Sequence, residues 1–415
     1  MMAAPFRFTR SRELLTRAVE VIPRGIYGTK SPALVVPGSF PYYAESGAGC
    51  RFRDVDSNEY IDFLCGFGGN LLGYRDRAVD DAAAAAMRRG FGFNTPCPEM
   101  VELAEELTAR IAGMDWALFG VNGSDMTTYA LQTARAHTGR RKVLAAHGAY
   151  HGAHPWAVPG HAGLLEEDLA HVHRFRWNDL DSVAGLFHRY PDDIAAVMVT
   201  PYHHPAFADS ELPAAGFLDG LCALAHDRGA LVISDDIRVG FRADLRGSHV
   251  RFGYQPDLCC YSKAIANGYP IAACLGRDGV KGAASRVFCT GTFWMHAYPM
   301  AAALACLRRI EEDGVIERVT ALGERLIAGL HAAAARHGQR LAVTGLPAMP
   351  FVRFANETDF HRSQLFCAEA TRRGAYFHPH HNWFLSAAHT GADIDESLQI
   401  ADRAMRAVAE RFGAA

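Results

Sequence analysis

Lysine is nearly absent from this chain. Of 42 basic residues only four are lysine, Lys30, Lys142, Lys263 and Lys281, so each can be examined singly. No charge of either sign is in excess: 45 acidic residues against those 42 leave a formal net charge of −3. That balance argues against nucleic-acid binding, which usually shows a basic excess or stripe. No run approaches the roughly 18 uncharged apolar residues of a membrane span. The opening MMAAPFRFTRSRELL lacks the apolar core of a secretory signal, and a cytoplasmic protein is expected. The ten cysteines form no CxxC pair and no cluster. They read as buried free thiols of a reducing compartment rather than a disulfide framework. Internal repeats and low-complexity linkers are also missing.

What is present is a folded composition, 49% hydrophobic and 21% charged over 415 residues. The length suits about two to three domain-sized units and needs no disulfide staples to bury a core. Residues 11–20 read as a short helix, followed by a Pro/Gly-rich stretch over 22–41. Residues 51–63 alternate polar and apolar around Asp56-Ser57-Asn58, a hairpin pattern. The Ala-rich segment 80–90 is a helix former.

From about residue 99 helical periods (100–113, 126–139) alternate with apolar runs of strand length at 116–121, 142–147, 194–200, 230–236, 257–262 and 271–276. Short buried strands between helices predict an α/β layered fold with a mainly parallel sheet. After residue 300 the texture changes. A helical stretch over 301–336 precedes apolar runs at 341–345 and 349–354, a helix near 361–373, the run 383–388 and a last helix. That helix is expected to start with Asp393 and Glu396 at capping-box spacing. Its apolar face would carry Leu398, Ala401, Met405, Val408 and Phe412. The expected division is an N-terminal segment 1–60 belonging to a smaller domain, a large domain 61–305, and an α+β domain 306–415.

Ligands of open parallel sheets bind beyond the carboxyl ends of the strands, so the residues that end each run are the candidates. Ala230–Ile233 ends in Ser234-Asp235-Asp236. A buried carboxylate needs a cationic or hydrogen-bonding partner, and reads either as a structural ion pair or helix cap or as a functional acid. Leu258–Tyr261 ends in Ser262-Lys263, with no other charge between Asp257 and Arg277. A desolvated lysine has a lowered pKa and can be a Schiff-base nucleophile; the alternative is a snorkelling strand-end lysine. Val121–Asp125 is a small-residue turn before a helix, suited to an anion such as phosphate, although it is neither a Walker loop nor GxGxxG. His147, His151 and His154 are interrupted by glycines and lack HExxH or Cys partners, so no metal is expected. His378, His380 and His381 are equally ambiguous between proton shuttles and satisfied loop residues.

An anion turn, the Tyr150-His151 loop, a strand-end Asp and a lysine follow one another, and they are the four parts that pyridoxal phosphate needs. Longer motifs carry a resemblance. Asp235–Arg242 reads Asp-Asp-Ile-Arg-Val-Gly-Phe-Arg, Tyr261-Ser262-Lys263 leads to Gly268-Tyr269-Pro270, Thr133 precedes Ala-Arg-Ala-His-Thr-Gly-Arg (134–140), and Ser386–Thr390 is followed by Asp393-Ile394-Asp395. Over nearly the whole chain these resemble the class III aminotransferases, fold-type I pyridoxal-phosphate enzymes, and within them the glutamate-1-semialdehyde aminomutase-like branch. The resemblance implies a large domain with a seven-stranded, mainly parallel sheet flanked by helices, plus a smaller α+β domain from the chain termini. It implies that Lys263 holds the cofactor aldehyde and shuttles a proton, and that Asp235 pairs with the pyridine nitrogen. Tyr150 would stack on the ring with His151 beside it, and Ser124 and Asp125 would hold the phosphate. Thr292 matches a phosphate-binding threonine supplied by a neighbouring subunit, hence a homodimer with shared active sites. Substrate contacts would come from Arg24, Phe67 and His381.

Departures accompany the match. The phosphate turn carries Asp125, expected to turn away or cap its helix. Thr200-Pro201 stands where many members have Glu-Pro, and Val239 replaces a common Thr. Arg238 adds a charge near the expected cofactor edge, and His381-Asn382 falls where the aminomutase has an acidic residue. The expected activity is transfer of an amino group between an amino acid or amine and a carbonyl acceptor. The alternative is an isomerase, aminomutase or racemase, on the same scaffold.

Overall fold

The computed structural model describes residues 6–26, 31–158, 162–205 and 207–414; Lys30 and the rest of 27–30 lie outside them. Two compact units emerge, one from the chain up to Asp76 and from Glu317 onward, the other from Arg77–Ile316.

The first unit opens with a helix, Thr9–Val21, and three antiparallel strands, β1 (Ala44–Ala48), β2 (Arg51–Asp54) and β3 (Glu59–Asp62). The β2–β3 hairpin is where the alternation predicts it. The buried Asp54 carboxylate closes it, accepting from Asp56 N at 3.0 Å, Asn58 N at 2.9 Å and Tyr60 OH at 2.8 Å.

The second unit contains β4 (Trp116–Gly120), β5 (Lys142–Ala146), β6 (Val172–Phe175), β7 (Ile194–Val199), β8 (Leu231–Asp235), β9 (Leu258–Tyr261) and β10 (Ala272–Gly276), in the order β4-β10-β9-β8-β7-β5-β6. β9, β8, β7, β5 and β6 run parallel, while β10 is antiparallel to both of its neighbours. Successive side chains serve opposite faces. Ala196, Met198, Leu231 and Ile233 join the core under the helix Gly123–Thr138, whereas Val197, Val199 and Val232 join the core under Leu180–Arg189 and Phe217–Asp227. Two covered faces explain why these strands read as continuous apolar runs. β6 was not among the expected strands. It is an edge strand, Val-His-Arg-Phe, with only Phe175 fully buried, so no apolar run marks it.

The first unit resumes with β11 (Leu341–Thr344) and β12 (Phe351–Phe354), paired with each other, and β13 (Ala375–Tyr376), which pairs parallel with β3. Three expectations need correction. The helical stretch 301–336 is two helices, Ala297–Glu312 and Val315–Arg336, broken where Gly314 takes φ 56°. The run 383–388 is not a strand: Trp383 N bonds Pro350 O, Phe384 N bonds Phe63 O, Leu385 N bonds Ala348 O and Ala387 N bonds Leu71 O. Its backbone groups go to different segments and form no ladder. The last helix, Gly391–Phe412, is capped by Thr390, whose Oγ1 accepts from Asp393 N at 3.2 Å while Asp393 Oδ2 accepts from Thr390 N at 2.9 Å. Asp393 is thus the third helical residue of the box, not its first.

The expected boundaries at 60 and 305 fall inside these units. Residues 61–76 stay with the first because Tyr74 bridges Gly49 and its hydroxyl donates to Asp62 Oδ2 at 2.6 Å. Residues 306–316 stay with the second because the helix Ala297–Glu312 packs along Arg77–Arg88 and Pro98–Arg110. Among the described residues all the cysteines are free, and all but Cys289 are buried.

Candidate active site

Neighbouring strands β7, β8 and β9 end side by side, placing Thr200, Asp235 and Lys263 along one edge of the second unit's sheet. Asp235 is 5% exposed. Its Oδ2 lies 2.8 Å from His151 Nδ1, and its Oδ1 accepts from Ile237 N at 3.3 Å. With the carboxylate ionised, the imidazole donates through Nδ1. His151 is itself fixed, since its carbonyl accepts from Thr127 Oγ1 at 2.7 Å. Its Nε2 is buried without a hydrogen-bond partner among the described residues.

Asp236 takes the opposite side of the strand. Ser248 N and Oγ donate to it at 2.9 and 2.6 Å. Burial pushes its carboxyl up to about 6, against the pull of those two bonds. One of two adjacent aspartates therefore faces the sheet edge, and the other anchors the turn around Ser248.

Lys263 opens a tight turn, Lys263–Ala266, at φ 54°. Burial, then the Arg238 guanidinium, and more weakly Arg242, hold its ammonium down to about 7, while Asp235 opposes them. Near neutral pH much of the lysine is therefore the free amine, the form a nucleophile or base requires. Arg238 is buried, and its Nη1 donates to His204 O at 3.1 Å. Burial and Arg238 keep His204 well below the ordinary imidazole range, so it stands beside Arg238 as a neutral ring. His203 stacks on Trp177 at 5.5 Å between centroids.

The anion turn lies at the N-terminus of the helix Gly123–Thr138. Asp125 Oδ2 accepts from Asn122 N at 2.9 Å, so the carboxylate caps the helix as expected. Ser124 Oγ accepts from Ala153 N at 2.9 Å. Two glycines permit the close approach of three turns. A Cβ on Gly123 would lie 2.6 Å from Ile237 Cδ1, and one on Gly152 would lie 2.8 Å from Ser124 Oγ. Sequence reasoning passed over Thr128, whose Oγ1 meets His154 Nδ1 at 2.7 Å and accepts from Trp156 Nε1 at 2.8 Å. A hydroxyl inside a helical period carries no signal of its own.

Tyr150 and Thr292 are exposed. In the first unit Arg24 is an exposed residue of a turn closed by Gly25 N to Ile22 O at 2.8 Å. Phe67 and His381 do meet there, edge to face at 5.3 Å. Among the described residues no group of three or more His, Cys, Asp or Glu side chains could hold a metal ion.

A carboxylate buttressed by an imidazole, a lysine amine poised near neutrality and a glycine-lined anion turn fit the pyridine, aldehyde and phosphate ends of pyridoxal phosphate. With the mainly parallel seven-stranded sheet they define a fold-type I pyridoxal-phosphate enzyme. Residues 36–406 match the family model described as "Aminotransferase class-III", and the chain belongs to that family. It is 44% identical to the aminopentol aminotransferase of Sphingopyxis macrogoltabida, over 97% of this chain and 96% of that protein. It is 33% identical to the 3-aminobutyryl-CoA aminotransferase of Cloacimonas acidaminovorans, over 96% and 97%. A glutamate-1-semialdehyde 2,1-aminomutase of Desulfitobacterium hafniense is 32% identical over 95% and 97%. The structure of the pyridoxal-phosphate form of the Sphingopyxis sp. MTA144 FumI protein superposes with a TM-score of 0.95, at 43% identity over 97% of each chain. The chain is a pyridoxal-phosphate-dependent aminotransferase, and the aminomutase is the more distant likeness.

Proposed function

We propose that this enzyme takes its amino group from a primary amine borne on a hydroxylated carbon chain and passes it to a small keto acid. The observation that carries this reading is the 44% identity, over nearly the full length, to a protein named for an aminopentol. When bound, pyridoxal phosphate supplies an aldehyde that carries the amino group and a ring that accepts electrons. The chain's own residues do the rest. Lys263 Nζ, its ammonium held down to about 7, takes the proton from the carbon that bears the amine and returns one later as general acid. Asp235, held by His151 at 2.8 Å, keeps a positive charge on the ring nitrogen. Backbone N–H groups of Ser124 and Asp125 hold the phosphate, and Tyr150 covers one ring face. Arg24, Phe67 and His381 contact the substrate.

The second half of the proposal is a homodimer in which Thr292 serves the phosphate of the other copy. Its support is the apolar surface around Thr292. Phe288 is 91% exposed, and Phe293, His296 and Phe91 form a chain of ring contacts at 5.4 and 5.2 Å. Such a surface is an interaction site more often than free surface. The cytoplasmic placement rests on the free cysteines; no described helix is long and apolar enough to cross a membrane.

The test supplies the holoenzyme with an aminopentol and pyruvate and follows both by mass spectrometry. Equal loss of amine and gain of alanine is expected. Isomerised or racemised amine with pyruvate untouched overturns the reading in favour of an isomerase. Sedimentation should give twice the 45.2 kDa chain mass, and a monomer that remains fully active removes the shared-site proposal.

A further inference from the structure

Within the second unit, the loop 151–156 is tied to the start of the helix Gly123–Thr138 at several points. Thr127 Oγ1 donates to His151 O at 2.7 Å, and Ala153 N donates to Ser124 Oγ at 2.9 Å. Trp156 Nε1 donates to Thr128 Oγ1 at 2.8 Å, and the same oxygen meets His154 Nδ1 at 2.7 Å. Gly152 allows the approach, because a Cβ there would lie 2.8 Å from Ser124 Oγ. These contacts carry His154 across the first turn of the helix. Its Nε2 lies 3.7 Å from Asp125 Oδ1, while Asp125 Oδ2 accepts from Asn122 N at 2.9 Å. Asp125 and Thr128 are three residues apart on one helix face, so a single imidazole spans both.

Charge at this helix start is one-sided. Neither sequence segment that builds it, 111–134 or 143–173, contains a lysine or an arginine. A phosphate monoester brings about −1.5 to −2, and the Asp125 carboxylate adds to it. The helix N-terminus offers only about half a positive charge in return. Among the described residues, His154 is the one basic side chain paired with Asp125. Thr128 suits a ring of either charge. An indole N–H is a donor only, so the Trp156 bond leaves the Thr128 O–H able to donate to Nδ1 of a neutral ring. The second lone pair of Thr128 Oγ1 can accept from Nδ1 of a charged one. Two anions side by side favour the charged ring.

We propose that His154, held by Thr128 and Trp156, is the cation that offsets Asp125 and lets this turn take the cofactor phosphate. It is a positioning residue for the phosphate end, and its role rests on the reading above that N–H groups of Ser124 and Asp125 hold that phosphate.

The test titrates the full-length protein, freed of cofactor, with pyridoxal phosphate and with pyridoxal, following binding by tryptophan fluorescence. The variants are His154→Gln, which keeps a hydrogen-bonding side chain without the charge, Asp125→Asn, which keeps an acceptor for the helix cap, and the two combined. His154→Gln should weaken pyridoxal phosphate by about three- to tenfold, the scale of a partly exposed ion pair, and leave pyridoxal within about twofold. Asp125→Asn alone should not weaken pyridoxal phosphate. The combined variant should bind it within about twofold of the unsubstituted protein, because both charges are gone. A purely structural role for His154 would not be rescued in this way. Unchanged affinity in His154→Gln overturns the proposal, and so does a combined variant as weak as His154→Gln alone. An equal loss for pyridoxal also overturns it and makes His154 a packing residue of the loop. If the unsubstituted protein binds pyridoxal phosphate no more tightly than pyridoxal, the phosphate reading itself has failed, whatever the variants do.

Discussion

Lys263 and Phe67 share a backbone state, φ 54° and 56°, in two very different settings. Lys263 follows a strand whose backbone is bonded on both sides, and its neighbours are charges: Arg238, Arg242 and Asp235. Phe67 stands on a short turn among rings and carries no charge. The comparison separates two uses of strain. Just past β9, a strained residue follows a hydrogen-bonded ladder and sits among buried charges that tune its proton affinity. In the turn, strain leaves an aromatic ring half exposed. Loss of the Lys263 amine should act in an all-or-none way, and loss of the Phe67 ring by degrees.

The largest break in that comparison is Lys263→Ala. Turnover should fall by more than about a thousandfold, while the circular dichroism spectrum stays that of the folded protein. Substantial remaining turnover would remove Lys263 from the chemistry.

Next is the aspartate pair. Asp235→Asn should lower kcat by roughly 10²–10³, with little change in thermal midpoint. Asp236→Asn should do the reverse, costing about 1–3 kcal/mol of stability through its buried bonds to Ser248, with kcat close to that of the unsubstituted enzyme. Equal kinetic losses in both variants would show that the two faces of β8 are not divided as described.

A smaller effect follows from the Lys263 proton. Its pKa is depressed from 10.5 to about 7 on folding, so between those values the unfolded chain binds more protons. Stability contributed by this group therefore rises with pH from about 7 to 10.5, and the penalty is fully present below about 7. In cofactor-free protein, Lys263→Met should raise the denaturant midpoint at pH 6 and flatten the rise between pH 7 and 10. The midpoint of amine acylation at Lys263, followed by peptide mass spectrometry, should lie near pH 7. A midpoint near 10 would mean that the site is wet.

The smallest change concerns the cap of the last helix. Thr390→Ala should cost about 1 kcal/mol, within the usual 0.5–2 for a lost N-cap, and leave kcat unaltered. A kinetic effect would tie the helix start to the chemistry and blur the division drawn above.

Much of the fold was legible because its signals are local. Six of the seven strands of the large sheet appear as apolar runs, since both faces are covered, while β6 escaped because an edge strand with His and Arg does not look buried. The hairpin at Asp56–Asn58 was marked by its alternation. The final helix was recognised by its apolar face, yet its start was misplaced by one element of the capping box. Thr390 and Asp393 both suit the first position, and only the observed backbone at Thr390 separates them. At the site, Lys263 stood out because lysine is rare here and because that stretch is otherwise free of charge. Thr128 escaped notice because its role depends on His154 and Trp156 from another turn.

Residue order alone determined the α/β texture, the candidate strand ends, the lysine and the family motifs, because periodicity and residue chemistry act over a few positions. Which aspartate faces the sheet edge was decided only by tertiary structure, through His151 on one side of β8 and Ser248 on the other. The same is true of the lysine's depressed pKa, which needs burial and Arg238 brought in from a different turn. It is true again of the left-handed turn at Phe67, where Gly66 and Gly68 permit the backbone but Cys65 and Phe67 are held in it by bonds to Asp62, Leu64 and Cys65. Each of these depends on what lies opposite a residue in space, and the free energy of a charge or a strained backbone is set there.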